Sequence, residues 1–128
     1  MTLLYSTICV TIKFDLTIRY KTRGFMEINK QQTAKIFKAL CDENRIEILL
    51  LLQDGEKCAC NISEKLHLAQ SKLSYHMKIL CESGIVQSWY VGKWTHYQIS
   101  EIGSRYAIDL IKALTSIKDI KPDTCCNK

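Results

Sequence analysis

The sequence lacks the features that all-β proteins and membrane proteins need. It has one proline, Pro122, and five glycines in 128 residues, which is too few for a turn-rich sandwich of short strands. It has no run of eighteen apolar residues, so we expect neither a membrane-spanning helix nor a membrane partner. Charged residues interrupt the apolar positions of residues 1–25, unlike a secretory signal. These absences favour a small, mostly helical, cytoplasmic protein.

The positive charge of the chain is concentrated in one segment. Apolar residues make up 47% and charged residues 24%, which suits one packed domain, and the net charge is +5. Residues 57–97 hold five lysines against two glutamates, a net charge of +3, and all three histidines. Such a segment favours a polyanion such as DNA as the partner, with a solvated lysine-bearing surface as the alternative.

Helical spacing of apolar residues predicts four helices in the first two thirds of the chain. We expect Asp42 to cap the second helix, Gly55 to follow its end and Gly84 to close the fourth. The predicted helices are approximately residues 30–40, a second helix that follows Asp42 and is ended by Gly55, and residues 61–66 and 70–82. On the fourth, spacing predicts a buried face of Leu73, Met77, Leu80 and Cys81, with Lys72, Tyr75, His76 and Ile79 pointing away.

Two β-type runs, residues 85–91 and 94–99, flank Gly92 and Lys93 and predict a hairpin, after which Ser100 opens a last helix. Two short helices joined by a tight turn and followed by a hairpin make a winged helix-turn-helix. The predicted fold class is therefore mainly α (α+β), a winged helix-turn-helix with a two-stranded β-hairpin wing and terminal dimerisation helices.

We expect three segments along the chain. Residues 1–25 form an N-terminal extension, which we interpret as the result of a start upstream of Met26, with a genuine N-terminal arm as the alternative. Residues 26–120 form the DNA-binding and dimerisation domain. Residues 121–128 form a polar tail that contains cysteines.

The start of the fourth helix carries side chains that suit DNA. In a helix-turn-helix, the N-terminal residues of the second helix lie nearest the base edges of the major groove. Glutamine can pair with adenine, serine can donate or accept at base edges, and lysines suit phosphates. A merely solvated polar face is the alternative. The predicted DNA-binding residues are Gln70, Ser71, Lys72, Ser74, Tyr75, His76 and Lys78, together with Lys93 at the hairpin tip.

The apolar stripe of the last helix predicts a homodimer. A domain of this size already has a core built by its second to fourth helices. We therefore expect the last helix, together with Ile36, Phe37 and Leu40, to bury apolar surface against a second copy. A two-fold dimer matches a pseudo-palindromic operator in double-stranded DNA.

Cys58 and Cys60 are the sharpest chemical feature of the sequence. Side chains two residues apart point to the same side of an extended segment and to different sides of a helix, so a shared ion requires this pair at or before a helix start. That position lowers thiol pKa values, and thiolates select soft or borderline ions. An ion held there would distort the third helix and weaken DNA binding through linkage. Two small, partly buried thiols are the alternative.

Several segments between Ala34 and Ser100 resemble the ArsR/SmtB family of winged-helix metal-sensing repressors. The segments are residues 37–49 (FKALCDENRIEIL), 58–62 (CACNI), 70–80 (QSKLSYHMKIL), 82–86 (ESGIV) and 92–100 (GKWTHYQIS). The resemblance implies a homodimer that represses a resistance operon, needs no cofactor to bind DNA and leaves DNA when metal binds. It implies that Cys58 and Cys60 hold As(III) or Sb(III), or equally Cd(II) or Pb(II), and that Ser71, Ser74 and His76 face DNA.

The sequence departs from the arsenical pattern at Ser63, where such sensors often have a third cysteine. Because As(III) binds three thiolates, we expect Cys125 and Cys126 of the tail to supply the missing sulfur. Cys9 is a rival only if residues 1–25 are translated. We expect Cys41 and Cys81 in the core, His96 in a structural role and no zinc site on the last helix, which lacks histidine.

The sequence therefore predicts a repressor that senses arsenite or antimonite through Cys58 and Cys60. A cadmium- or lead-responsive repressor of the same family is the first alternative. A thiol-redox regulator, in which one of the two cysteines is oxidised, is an alternative of another class. An enzyme is least favoured, because no histidine lies beside the cysteine pair in the sequence and no nucleotide motif is present.

Overall fold

The computed structural model describes residues 27–118 and Cys125, and within residues 27–118 it contains five helices and one three-stranded sheet. The elements are α1 (Lys30–Leu40), α2 (Glu43–Leu52), β1 (Lys57–Cys58), α3 (Ala59–Leu66), α4 (Gln70–Glu82), β2 (Val86–Val91), β3 (Trp94–Ile99) and α5 (Glu101–Thr115). The predicted mainly helical winged architecture is confirmed. The third helix begins at Ala59 rather than near Asn61. The predicted extension of residues 1–25 lies outside the described residues.

Polar side chains fix the starts of three helices. The Asn29 side chain accepts hydrogen bonds from the first-turn N–H groups of α1. Asp42 accepts one from the Arg45 N–H, which confirms the predicted cap of α2, and Ser100 accepts one from the Gly103 N–H of α5. These caps satisfy N–H groups that have no partner within their own helix, so the polar residues at these positions determine where each helix begins.

The sheet contains one strand more than the sequence predicts. β2 and β3 form the expected antiparallel hairpin, and Gly92 takes a left-handed conformation (φ 60°) in its turn. β1 pairs with the other edge of β3, with Lys57 opposite Tyr97 and Cys58 opposite His96. A strand of two residues is too short to show alternation, so its sequence carries no signal for it. The segment before α3 is thereby attached to the wing.

The core lies around α4. This helix packs against α1, α2, α3 and β2. The largest fully buried apolar side chains come from α1 to α5 and are Ile36, Ile48, Leu52, Ile62, Leu73, Met77, Leu80 and Leu110. None of the described helices is long and apolar enough to cross a membrane.

Four predicted side-chain environments are wrong. His76 and Ile79 are buried rather than pointing away, because elements packed on several sides of α4 cover more of it than one stripe. Cys41 is exposed rather than in the core, since it is the C-cap of α1, where its thiol donates to the Lys38 carbonyl. Ile36 lies in the core of the monomer and is not free to meet a second copy.

Candidate nucleic-acid interface and thiol site

A tight turn joins α3 to α4 and sets the angle between them. His67 ends α3 in the left-handed conformation (φ 51°), and the Leu68 N–H donates to the Ser63 carbonyl at 3.1 Å. The Ser63 hydroxyl donates back to the Leu68 carbonyl at 2.5 Å. Ser63 therefore stabilises the turn of the helix-turn-helix through its hydroxyl, which is a stronger donor than the thiol of a cysteine at this position would be.

The first turn of α4 is open to solvent. Ala69 precedes the helix and provides no side-chain cap, so the N–H groups at this end remain directed towards the surrounding water. A helix N-terminus with exposed N–H groups favours a negatively charged partner such as a phosphate. Seven of the predicted DNA-binding side chains are exposed: Gln70, Ser71, Lys72, Ser74, Tyr75 and Lys78 on α4, and Lys93 on the wing.

His76 is the exception among the predicted DNA-binding residues. Its side chain is only 3% exposed and lies against α2. Its Nδ1 is 3.2 Å from Nη1 of Arg45 and 3.7 Å from the Asp42 carboxylate. An arginine can only donate, so Nδ1 accepts and the neutral imidazole carries its proton on Nε2. Burial lowers the pKa of His76 below its usual value of 6.5, in agreement with the neutral form. His76 therefore cannot touch a base edge in this conformation.

Arg45 of α2 forms hydrogen bonds with both α1 and α4. Its Nε and Nη2 donate to the carbonyls of Ala39 and Lys38 at 2.9 and 2.8 Å, at the end of α1. Its Nη1 donates to His76 of α4. Although burial opposes it, the Arg45 N–H and the Arg45 charge hold the pKa of Asp42 below its usual value. Sequence reasoning missed this role, although a lone arginine inside the apolar run of α2 is a signal for a buried, fully bonded cation.

The wing tip combines a cation with exposed aromatic rings. Lys93 and Gly92 form the turn, and the Lys93 ammonium lies 5.2 Å from the centre of the Trp94 ring. Tyr90, Val91 and Trp94 are exposed beside it. The predicted placement of Lys93 at the tip is confirmed, and the tip presents a positive charge supported by an aromatic face.

Cys58 and Cys60 lie at the start of α3, as the pair would have to lie to share an ion. Cys58 is the last residue of β1 and the N-cap of α3, where its sulfur accepts a hydrogen bond from the Asn61 N–H at 3.4 Å. Cys60 is exposed in the first turn. A hydrogen bond from the Cys60 thiol lowers the pKa of Cys58, and the same bond raises the pKa of Cys60. The pair can therefore present a thiolate that its neighbour stabilises.

The pair supplies two sulfur donors to a soft ion. No group of three or more histidine, cysteine or carboxylate side chains has the geometry of a metal site within the described part of the chain. An ion that requires three thiolates would need a sulfur from elsewhere. Cys125 is exposed, while Cys126 and Cys9 lie outside the described residues. The donor type therefore fits a thiophilic ion, to which the described start of α3 offers two sulfur donors.

Several large apolar side chains of α5 are exposed to solvent along the length of the helix. Its inner face buries Tyr106, Ala107 and Leu110. Ile102, Ile108, Ile111 and Leu114 are exposed, and Ile117 follows the helix with 89% of its surface in water. Phe37 of α1 is also 44% exposed, whereas Leu40 is half-buried in the monomer. Exposed apolar residues at this density are typical of a protein–protein interface.

Two comparisons identify the family of the chain. The family model described as "Bacterial regulatory protein, arsR family" matches residues 42–88. A helix-turn-helix transcriptional regulator of Methanocaldococcus jannaschii is 36% identical over 85 residues, which are 66% of this chain and 96% of that protein. The chain belongs to the ArsR family. The family model is that of a regulatory protein and this relative is a transcriptional regulator, which agrees with the predicted class of protein.

Two further relatives show what this ArsR-family chain resembles. The arsenical resistance operon repressor of Bacillus subtilis is 41% identical over 66 residues, 51% of this chain and 63% of that repressor. The chain thus spans less than two thirds of the length of this relative. The solved structure of HlyU from Vibrio cholerae superposes with a TM-score of 0.56 at 31% identity, over 70% of this chain and 98% of that one.

Proposed function

We propose that this ArsR-family protein is a homodimeric repressor that binds operator DNA and releases it when As(III) or Sb(III) binds Cys58 and Cys60. One observation carries the proposal: two thiols two residues apart lie at the start of α3, the helix directly before the recognition helix α4, and the sulfur of Cys58 caps α3. The arsenical repressor relative supports the choice of ion. DNA binding itself requires no cofactor.

The recognition helix would read the major groove through its exposed first two turns. Gln70 and Ser74 are exposed there with hydrogen-bonding groups suited to base edges. Lys72, Lys78 and the wing-tip Lys93 would neutralise phosphates and fix the position of the helix without reading sequence. His76 would act behind this surface, by holding α4 against Arg45.

The exposed apolar face of α5 supports a symmetric dimer. A second copy would cover Ile108, Ile111 and Leu114 together with Phe37, and would thereby remove from water the largest apolar side chains that the monomer leaves exposed on these helices. Two recognition helices related by a two-fold axis would then meet a pseudo-palindromic operator.

The metalloid would be held by sulfur alone. Three thiolates complete the coordination of As(III), so Cys58 and Cys60 would be joined by Cys125 or Cys126 of the tail. The Cys58 sulfur also accepts the hydrogen bond that caps α3. Binding of an ion to this sulfur competes with the cap, so the first turn of α3 must adjust. Because α3 packs on α4, the adjustment reaches the reading surface, and the ion and DNA favour different conformations.

Fluorescence anisotropy of labelled DNA from upstream of the protein's own gene tests the proposal. We expect sodium arsenite to dissociate the reduced wild-type protein from the labelled DNA and to leave the Cys58→Ser variant bound to it. Cys41→Ser is the matched control, because Cys41 is an exposed cysteine outside the pair, and its release should equal that of the wild type. The proposal would be contradicted if the Cys58→Ser variant left the DNA at the same arsenite concentration as the wild type.

The same assay separates the alternatives by inducer. Release by cadmium or lead without release by arsenite would instead support the cadmium- or lead-responsive repressor of the same family. Release by hydrogen peroxide alone would support oxidation of the hydrogen-bonded thiol pair. Either result would overturn arsenite sensing while leaving the DNA-binding part of the proposal intact.

A further inference from the structure

Building on the function proposed above, we propose that His96 is a positioning residue that transmits occupancy of Cys58 to the wing. Cys58 belongs to two structures at once. It caps α3, and it is also paired with His96 in the sheet that forms the wing. Any movement of Cys58 that accommodates an ion therefore acts on β3 as well as on α3.

Cys58, His96 and Trp89 form one row across the three strands. Cys58 is directly opposite His96 in the β1–β3 pair, and Trp89 is directly opposite His96 in the β2–β3 pair. Directly opposed residues of an antiparallel pair project from the same face of the sheet, with Cβ atoms about 4.5–5.5 Å apart. The three side chains are therefore neighbours on one face, with His96 in the middle.

Packing rather than hydrogen bonding holds the His96 ring. It stacks on Trp89 with a centroid separation of 6.1 Å and an interplanar angle of 24°. Its Nδ1 is buried and has no hydrogen-bond partner among the described residues. A ring held only by its neighbours follows their displacement, because no directional bond fixes it to another element. A shift of Cys58 would therefore move the ring and its Trp89 partner together.

The attachment of β1 to the wing is short enough to respond to an ion. The β1–β3 ladder consists of two residue pairs, Lys57 with Tyr97 and Cys58 with His96, whereas β2 and β3 pair along six residues. The pairing of β3 with β1 is therefore weaker than its pairing with β2. A displacement of Cys58 is transmitted to β3 through the short β1–β3 pairing, while the longer β2–β3 pairing keeps the hairpin intact. The hairpin should move as a unit and carry the displacement from His96 to Lys93 at its tip.

The chain contains its own reporters of this movement. Its two tryptophans are Trp89 and Trp94, and both lie on the wing. Trp94 is exposed at the tip beside Lys93, and no pairing joins it to β1. A Trp89→Phe protein keeps an aromatic ring next to His96 and leaves Trp94 as the only tryptophan. The emission of that protein reports on the wing tip alone.

The experiment titrates reduced Trp89→Phe protein with sodium arsenite and follows two signals. The near-ultraviolet absorbance of arsenic–thiolate bonds measures occupancy, and Trp94 emission measures the response of the tip. We expect the two signals to saturate at the same arsenite equivalent. Adding His96→Ala should preserve the absorbance titration and reduce the emission change at least five-fold, and His96→Phe, which keeps a stacking ring, should restore it.

Operator release provides a second readout that simple loss of stability would not reproduce. His96→Ala should bind DNA like the wild type without arsenite, and should need at least ten-fold more arsenite for release. Thr95→Ala is the matched control, because Thr95 is the neighbour of His96 in β3 and pairs with Tyr90 rather than with β1. It should respond like the wild type in both assays.

Two results would overturn the proposal, and a third concerns the function on which it rests. Saturating absorbance with unchanged Trp94 emission would show that the tip does not sense the site. Equal emission and release in His96→Ala and wild type would remove His96 from the route. An absence of any thiolate absorbance in all variants would overturn arsenite sensing itself, and the route with it.

Discussion

Nη1 of Arg45 lies 3.2 Å from Nδ1 of His76, so the buried guanidinium of α2 forms a hydrogen bond with a side chain in the middle of α4. The same guanidinium closes the end of α1 through the carbonyls of Lys38 and Ala39. The orientation of the exposed face of α4 is therefore set from its opposite side, by a buried residue of α2.

Removal of Arg45 should destabilise the fold strongly. Arg45→Met would leave the Ala39 carbonyl and the His76 nitrogen buried without their donor, while the Lys38 carbonyl keeps its hydrogen bonds from Cys41. The loss should cost about 3 kcal/mol in the free energy of unfolding. Urea unfolding followed by circular dichroism measures this cost. Arg105→Met is the matched control, because Arg105 forms an exposed ion pair with Glu101, and it should leave the unfolding midpoint almost unchanged. A midpoint for Arg45→Met equal to that of the control would contradict the role of Arg45.

The neutral state of His76 should make stability depend on pH. Burial lowers the pKa of His76, the Asp42 carboxylate opposes this shift, and the charges of Arg45 and Lys72 add to it. The unfolded chain then binds the proton at a higher pH than the folded chain. The stabilisation is complete above about pH 6.5 and is lost as the pH falls towards the folded pKa.

Urea midpoints measured between about pH 7.5 and pH 5 test this dependence. The wild-type midpoint should fall on acidification more steeply than that of His76→Phe, which has no titrating ring at this position. His67→Gln changes an exposed histidine and should keep the wild-type slope. Parallel curves for wild type and His76→Phe would show that the buried imidazole does not carry the effect.

Gln70 and Lys72 should differ in the way their loss affects DNA binding. Gln70→Ala should cost roughly 1–3 kcal/mol on the true operator and little on unrelated DNA, if the amide reads a base. Lys72→Gln should weaken binding to both DNAs alike and reduce the salt dependence by about one phosphate contact. Anisotropy titrations at several salt concentrations distinguish the two. If Gln70→Ala, like Lys72→Gln, lowered the affinity for operator and for unrelated DNA equally, Gln70 would contact a phosphate instead of a base.

A charge on the outer face of α5 should separate the proposed dimer. Ile111→Glu would place a carboxylate in the apolar patch, so we expect a monomer by multi-angle light scattering at micromolar concentration, with an unchanged circular dichroism spectrum. Gln98→Glu introduces the same charge at an exposed position of β3, outside α1 and α5, and should remain dimeric. A dimeric Ile111→Glu protein would place the dimer interface elsewhere.

The sequence predicts most of the fold because the local signals agree with the tertiary structure. The bounds of α1 and α4, the Asp42 cap and the β2–β3 hairpin all follow from spacing, capping and turn residues. β1 could not be predicted, because a strand of two residues shows no alternation of apolar and polar side chains. Its pairing with β3 also depends on the position of the adjoining helix α3. That strand connects Cys58 to the wing, so the missed element is the one on which the proposed coupling between the thiol pair and the wing depends.

The candidate site could be predicted only in part, for reasons of packing. Exposure of Gln70, Ser71 and Lys72 follows from their position at the start of α4. The burial of His76 does not follow from the sequence of α4 alone, because α2 and its Arg45 cover a side that helical periodicity assigns to solvent. The roles of Cys125 and Cys126 as ligands stay predictions.

The competition between ion and DNA can be measured most directly as a reciprocal linkage. Arsenite affinity is determined for the free protein and for the protein saturated with operator, and operator affinity is determined with and without arsenite. We predict that operator weakens arsenite binding by the same factor by which arsenite weakens operator binding, a factor of at least ten. Equal arsenite affinities for the free and the DNA-bound protein would contradict it.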